Sequence, residues 1–414
     1  MTETATPFSR PVYLMTKPAG AACNLACTYC YYLEKKHLYA GAGRQLMSDE
    51  LLETYIRDYI ALQTTPNVLF TWHGGEPTLR PIKFYERALE LQRRYADGRH
   101  IDNAFQTNGT LINEEWARFF KKNNFLVGLS IDGPQDLHDD FRRAPSGKGS
   151  WARVMQTIMT LNRHGVDWNA MAVVNSRTAE RPLDFYHFFK EIGCHYIQFT
   201  PVVERFYRRP DGRLLAAPTD GAVATMAPFS VTPEAWGRFL CEVFDEWVRH
   251  DVGDYFIQLF DSTLAGWMGV TPSVCTLAET CGHAPVMEWN GDVYACDHFV
   301  FPEFYLGNIQ TTPLKEMVRR PELLAFGNDK RDRLTAQCRA CDYLMACHGE
   351  CPRNRFATSK DGENGHNYLC EGYHRFFSHS ASYMDFMKYM LLHNEAPAKV
   401  MKWIADGMPD YRLR

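Results

Sequence analysis

CNLACTYC, residues 23–30, decides how this chain is read. Three cysteines stand at positions 23, 27 and 30, and no fourth lies nearby. The stretch follows PVYLMT (11–16), a short apolar run that reads as a first strand. The thiols therefore fall on a loop at the C-terminal end of that strand. A structural zinc site would want four ligands in closed tetrahedral geometry. His37 is a candidate fourth ligand, but the bulky YYLEKK stretch intervenes. A cubane iron-sulfur cluster held by three thiolates follows a different logic, because one iron stays open for an external ligand.

The rest of the composition makes these thiols unusual. The chain has 414 residues, enough for more than one core. Hydrophobic residues make up 45% and charged residues 23%, as in a folded globular protein. The net charge of -4 offers nothing to nucleic acid or an anionic membrane. No apolar run is long enough to span a bilayer. The N-terminal MTETATPFSRPVYLM lacks the basic-then-apolar layout of a secretory signal. The expected location is the cytosol, where 13 cysteines should not pair as disulfides. Clustered at short spacing, they read as metal ligands.

Residues 11–200 alternate strand-like and helix-like segments. The strands after the first are VLFTW (68–72), DNAFQT (102–107), LVGLSI (126–131), NAMAVV (169–174) and HYIQFT (195–200). Between them lie helix patterns at 48–63, 84–96, 113–122, 151–165 and 183–193, with Ser48 as N-cap and Gly165 and Gly193 as stops. Six such alternations imply an α/β fold with a parallel sheet, too few for a closed eight-stranded barrel. The expected architecture is a partial (β/α)6 TIM-like barrel over residues 1–235, with its chemistry at the strand C-termini. Residues 205–230 read as a long loop, and a helix is expected at 232–250. A loop-rich, cysteine-rich domain follows over 236–372, then a C-terminal helical segment over 373–414.

The CxxxCxxC motif after the first strand resembles the radical S-adenosylmethionine (SAM) enzymes, as does the aromatic Tyr29 before the third cysteine. HGGEP (73–77), just after the second strand, strengthens the likeness. The resemblance implies that Cys23, Cys27 and Cys30 hold a cluster whose open iron binds SAM, and that one electron from it yields a 5′-deoxyadenosyl radical. It further implies SAM contacts from Tyr29, Gly74, Gly75, Ser130, Arg142 and the backbone of Val203. QTNG (106–109) is expected to line the same cavity. An ordinary Gly-Pro turn is the plain alternative for HGGEP.

Eight more cysteines fill the second half. Cys275 lies six before Cys281; nine residues, Gly291, four residues and Cys296 follow. Then come Cys338-x2-Cys341-x5-Cys347-x3-Cys351 and Cys370. This pattern resembles the SPASM domain, an auxiliary-cluster module of peptide-modifying radical SAM enzymes. The resemblance implies one [4Fe–4S] cluster on Cys275, Cys281, Cys296 and Cys351, and another on Cys338, Cys341, Cys347 and Cys370. Three cubanes need roughly twelve ligands, one per iron. Eleven thiolates leave one iron open for SAM. Cys194 and Cys241 remain as buried small apolar residues. Two four-thiolate zinc sites are the alternative for the second half.

Only 22 residues precede Cys23, which argues against a leader-gripping domain of the thioether cyclases. NGDVYACDHFV (290–300), together with MAVVN, HYIQF, GNI and GYHRFF, resembles the anaerobic sulfatase-maturating enzymes. That likeness implies Asp297 as proton acceptor and Tyr32 as a candidate for orienting substrate, with core packing its plain alternative. It implies oxidation of a Cys or Ser in a Cys/Ser-x-Pro-x-Arg motif of an unfolded sulfatase chain to Cα-formylglycine, releasing 5′-deoxyadenosine and methionine. An electron donor such as flavodoxin or ferredoxin would serve it. Another SPASM peptide modifier and a zinc-stabilised binding protein are the competing readings. No residue selects between Cys and Ser.

Overall fold

The computed structural model describes residues 12–32, 35, 37–39, 45–208, 214–216 and 224–411. The expected alternation is present: β1 (Met15–Thr16), α1 (Asp49–Leu62), β2 (Asn67–Trp72), α2 (Ile82–Tyr95), β3 (His100–Thr107), α3 (Glu114–Lys122) and β4 (Phe125–Ser130). Then follow α4 (Gln135–Phe141), α5 (Trp151–His164), β5 (Trp168–Val174), α6 (Pro182–Glu191), β6 (Tyr196–Pro201) and α7 (Pro233–His250). Local chemistry sets the boundaries. Ser48 accepts a hydrogen bond from Leu51 N–H (3.2 Å), satisfying an orphan donor of α1. Gly165, at φ 62°, ends α5 in the left-handed conformation.

Two expectations are corrected. The first strand is two residues long, not six. Side chains of α1 and its C-cap take the backbone groups that a longer ladder would have used: Tyr59 Oη and Gln63 Nε2 donate to Val12 O (3.1 and 2.9 Å), and Leu14 N–H donates to Tyr59 Oη (3.3 Å). The expected long loop at 205–230 carries strands. Arg205–Arg208 pairs antiparallel with Leu214–Ala216 and with Thr225–Met226. Short strands flanked by Gly and Pro left no readable alternation there.

The chain forms two compact units. The first comprises 1–130, 139–168 and 281–329. Its strand order is β4-β3-β2-β1, then Val286–Met287, Asp292–Tyr294 and Tyr305–Asn308. Pairing is parallel from β4 to Val286–Met287 and antiparallel beyond. Thr16 sits opposite Trp72 on one side and Met287 on the other. A segment from the second half of the chain therefore lies directly beside β1. Under the sheet, α1 and α2 bury Tyr55, Tyr59 and Tyr85 against Phe70, Trp72 and Phe105, all at most 1% exposed. Nonpolar burial on this scale dominates the unit's stability.

The second unit comprises 131–138, 169–280 and 330–414. β5, β6 and Phe256–Ile257 pair in parallel. The expected C-terminal helices are Cys370–Leu392 and Lys399–Ala405. The first crosses α7 at a glycine pair: a Cβ on Gly372 would lie 2.4 Å from Pro233 O. No described helix is long and apolar enough to cross a membrane.

Candidate active site

The loop after β1 is held from both sides. Ala26 N–H donates to Arg143 O (2.7 Å) and Thr28 N–H to Phe141 O (3.0 Å), fastening the cysteine loop to the last residue of α4 and the segment after it. Cys23, Cys27 and Cys30 are each partly buried. Leu25 N–H (3.3 Å) and Asn108 Nδ2 (3.6 Å) donate to Cys23 Sγ. Asn108 Nδ2 also reaches Asn24 Oδ1 (2.9 Å), so QTNG touches the cysteine loop. Burial pushes the Cys23 thiol up to about 11. Iron would have to displace that proton, and N–H donors aimed at the sulfur stabilise the thiolate that results. His37, the alternative zinc ligand, is exposed.

HGGEP packs on that loop. Gly75 N–H donates to Gly20 O and Glu76 N–H to Ala22 O, each 2.8 Å. A Cβ on Gly75 would lie 2.1 Å from Ala22 O. The backbone approach that glycine permits here is to the cysteine-bearing segment itself. Buried Glu76 then ties its own turn to the one at the end of β3. It accepts from Thr78 N–H (2.9 Å), Thr107 Oγ1 (2.8 Å) and Asn108 N–H (2.8 Å). Burial pushes its carboxyl up, and these donors oppose the shift. Ser130 accepts from Gln106 Nε2 (3.2 Å) at the end of β4. Buried Arg142 stands 5.6 Å from the Tyr29 ring centroid, and Tyr29 packs on Phe141 (5.7 Å). Val203, in the second unit, is buried just past β6.

Asp297 lies in a dense charge centre within the first unit. Its Oδ1 pairs with the ammonium of Lys17, the residue after β1, and its Oδ2 accepts from the Tyr31 hydroxyl. The Lys17 side chain is fully buried, with Nζ 3.2 Å from the Tyr32 ring centroid. The Tyr32 hydroxyl donates to buried Glu288. Burial alone would push the Asp297 carboxyl up, but the Lys17 ammonium, the largest opposing influence, holds it well below the usual carboxylate range. It is therefore ionised at neutral pH. Burial lowers His73 to about 4, so its ring is neutral. Its Nδ1 accepts from Gly74 N–H (2.7 Å), which leaves the other ring nitrogen carrying the proton. Burial, then Glu288, pushes the Tyr32 hydroxyl up.

Sequence reading singled out Asp297 and Tyr32 but missed Lys17, Tyr31, His73 and Glu288. Tyr32 is 3% exposed, and its hydroxyl is engaged by Glu288. Its neighbour Tyr31 is the tyrosine on Asp297. A lysine directly after β1 was the available signal, because strand C-termini are where such folds gather their chemistry.

Cys338, Cys341, Cys347 and Cys370 all belong to the second unit. Burial pushes Cys347 up to about 12, with the nearby Cys370 and Cys338 adding. Cys370 rises to about 12 for the same reason, with Cys338 and Cys341 adding. Cys370 is thus near enough to feel each of the other three. Tyr343 N–H points at Cys341 Sγ (3.5 Å). Of the other expected set, Cys281 and Cys296 lie in the first unit and Cys275 and Cys351 in the second. Lys330 Nζ donates to Cys275 O (2.7 Å) and Thr276 O (2.8 Å), fixing the turn that carries Cys275. Among the described residues, no three Cys, His, Asp or Glu side chains close on a single ion. Cys194 and Cys241 are buried, as expected for apolar residues.

Comparison with known proteins gives the family. Residues 18–189 match the radical SAM superfamily, and residues 281–342 match the iron-sulfur cluster-binding domain called SPASM. Fold and site thus define a radical SAM enzyme with a SPASM region. A serine-type anaerobic sulfatase-maturating enzyme of Bacteroides thetaiotaomicron is 59% identical over 404 residues, covering 98% of each chain. The chain belongs to the anaerobic sulfatase-maturating enzymes. A cysteine-type member from Clostridium novyi is 31% identical, over 92% of this chain and 98% of that enzyme. The solved structure of native anSMEcpe with bound AdoMet and Cp18Cys peptide superposes with a TM-score of 0.80 at 31% identity, covering 92% of this chain and 99% of that one. The expected α/β class, a parallel radical SAM sheet followed by a cysteine-rich domain and C-terminal helices, is borne out.

Proposed function

We propose that this enzyme oxidises the serine of a Ser-x-Pro-x-Arg motif in an unfolded sulfatase to Cα-formylglycine, releasing 5′-deoxyadenosine and methionine. The observation that carries the serine assignment is the 59% identity to a serine-type enzyme, against 31% to a cysteine-type one. When bound, a cluster on Cys23, Cys27 and Cys30 with SAM supplies the radical that removes a Cβ hydrogen atom. Gly74, Gly75, Ser130, Arg142, Tyr29 and Val203 hold SAM. Asp297, kept ionised by Lys17, accepts the hydroxyl proton. The fixed geometry of the Lys17–Asp297 pair means that no charge has to be reorganised when the proton arrives. The auxiliary cysteine sets hold two further [4Fe–4S] clusters that carry away the second electron. A flavodoxin or ferredoxin donor and a cytosolic site of action complete the proposal, since such clusters need a reducing compartment.

The test is an anaerobic assay of the reconstituted enzyme with SAM, a strong reductant and paired synthetic peptides bearing Ser-x-Pro-x-Arg and Cys-x-Pro-x-Arg. Aldehyde on the serine peptide, formed in step with 5′-deoxyadenosine and lost in Cys23→Ala, is expected. SAM cleavage with both peptides unchanged would refute the substrate assignment and leave another peptide modification to be found.

A further inference from the structure

The two oxygens of Asp297 have unlike partners. Oδ1 pairs with Lys17, whose side chain is fully buried. Three groups fix that ammonium: the Asp297 carboxylate, the Tyr32 ring beneath it, and through Tyr32 the buried Glu288. A cation so enclosed has no alternative solvent shell, and moving it would strand a buried charge. Oδ2 is covered by the hydroxyl of Tyr31, which is only partly buried and lies edge-on to His298 at 5.1 Å. A phenol and a serine hydroxyl are both neutral O–H donors to a carboxylate.

We propose that Lys17 and Tyr31 are positioning residues with divided roles: Lys17 anchors Oδ1 throughout, and Tyr31 occupies Oδ2 until the substrate hydroxyl displaces it. The inference rests on Asp297 being the proton acceptor. Exchange of one O–H donor for another means that Oδ2 is never left bare and desolvated before substrate arrives. It also means that substrate competes with an internal group, so the resting enzyme binds its peptide more weakly than the bare carboxylate would.

The test uses the reconstituted holoenzyme and four variants, with iron content measured for each as a check on folding. Tyr31→Phe removes the competitor. Peptide Kd and KM are expected to fall roughly three- to tenfold, with kcat within about twofold. Lys17→Met removes the anchor. Aldehyde formation should lose about 100-fold in kcat with little change in KM, and Lys17→Arg should restore at least about a tenth of the rate. A raised KM or a collapsed kcat in Tyr31→Phe would overturn its guarding role. A kcat within about threefold of wild type in Lys17→Met would overturn the anchor. Asp297→Asn separates the two levels of argument. If it still forms aldehyde at the wild-type rate, the proton-acceptor reading fails. If it is dead while Lys17→Met and Tyr31→Phe behave as wild type, only the division of roles fails.

Discussion

Gly75→Ala tests whether the HGGEP turn shapes the cysteine loop as well as any ligand. The added Cβ would stand 2.1 Å from Ala22 O, 2.6 Å from Ala22 C and 2.8 Å from Ala21 C. An ordinary C···O contact is about 3.3 Å, so one backbone must retreat by about 1.2 Å. All three obstructing atoms are main-chain, and no rotamer change can absorb the overlap. Retreat would stretch the bonds from Gly75 N–H to Gly20 O and from Glu76 N–H to Ala22 O. Two such bonds contribute about 2 kcal/mol, and overpacking adds about 1–3 kcal/mol. A total of about 3–5 kcal/mol lowers Tm by about 6–20 °C in a unit of this size. Ala22 immediately precedes Cys23, so the same shift displaces a proposed cluster ligand. A misplacement of about 1 Å can cost on the order of 100-fold in rate. The assays are anaerobic thermal unfolding, iron content, and 5′-deoxyadenosine release. A variant with wild-type Tm, iron and rate would refute the packing argument outright.

Other outcomes follow from the same geometry. His73 titrates near 4 when folded and near 6.5 unfolded, so the unfolded state binds the extra proton as pH falls between them. Its contribution is intact above the unfolded value and is lost on acidification, by about 1.4 kcal/mol at pH 5.5. Urea unfolding at pH 7.5 and 5.5 should show His73→Gln losing less stability than wild type; equal losses would discount the burial. Gly372→Ala drives a Cβ into Pro233 O, so the α7 crossing must open and Tm should drop by several degrees, readable by calorimetry. Cys347→Ala, in the set with Cys338, Cys341 and Cys370, should remove roughly four of twelve iron atoms. An unchanged iron count in that variant would take Cys347 out of the ligand set.

Local sequence was enough for the strand–helix alternation, for Ser48 and Gly165 as helix boundaries, and for the cysteine loop after β1. Those features depend on residues within a few positions of one another, so their period and spacing are visible without a fold. Cysteine spacing carried the family for a related reason: ligands of one cluster must recur at fixed intervals to reach one object. The charge centre was invisible by the same standard. Tyr31 and Asp297 are 266 positions apart, and Tyr32 and Glu288 are 256 apart. They meet because Val286–Met287, a strand of two residues, pairs with the equally short β1. Two residues hold no periodicity to read. Only the folded sheet decided that the aspartate after Cys296 faces the lysine after β1. With that placement came the ionisation of Asp297, which depends on a neighbour that no local pattern could have supplied.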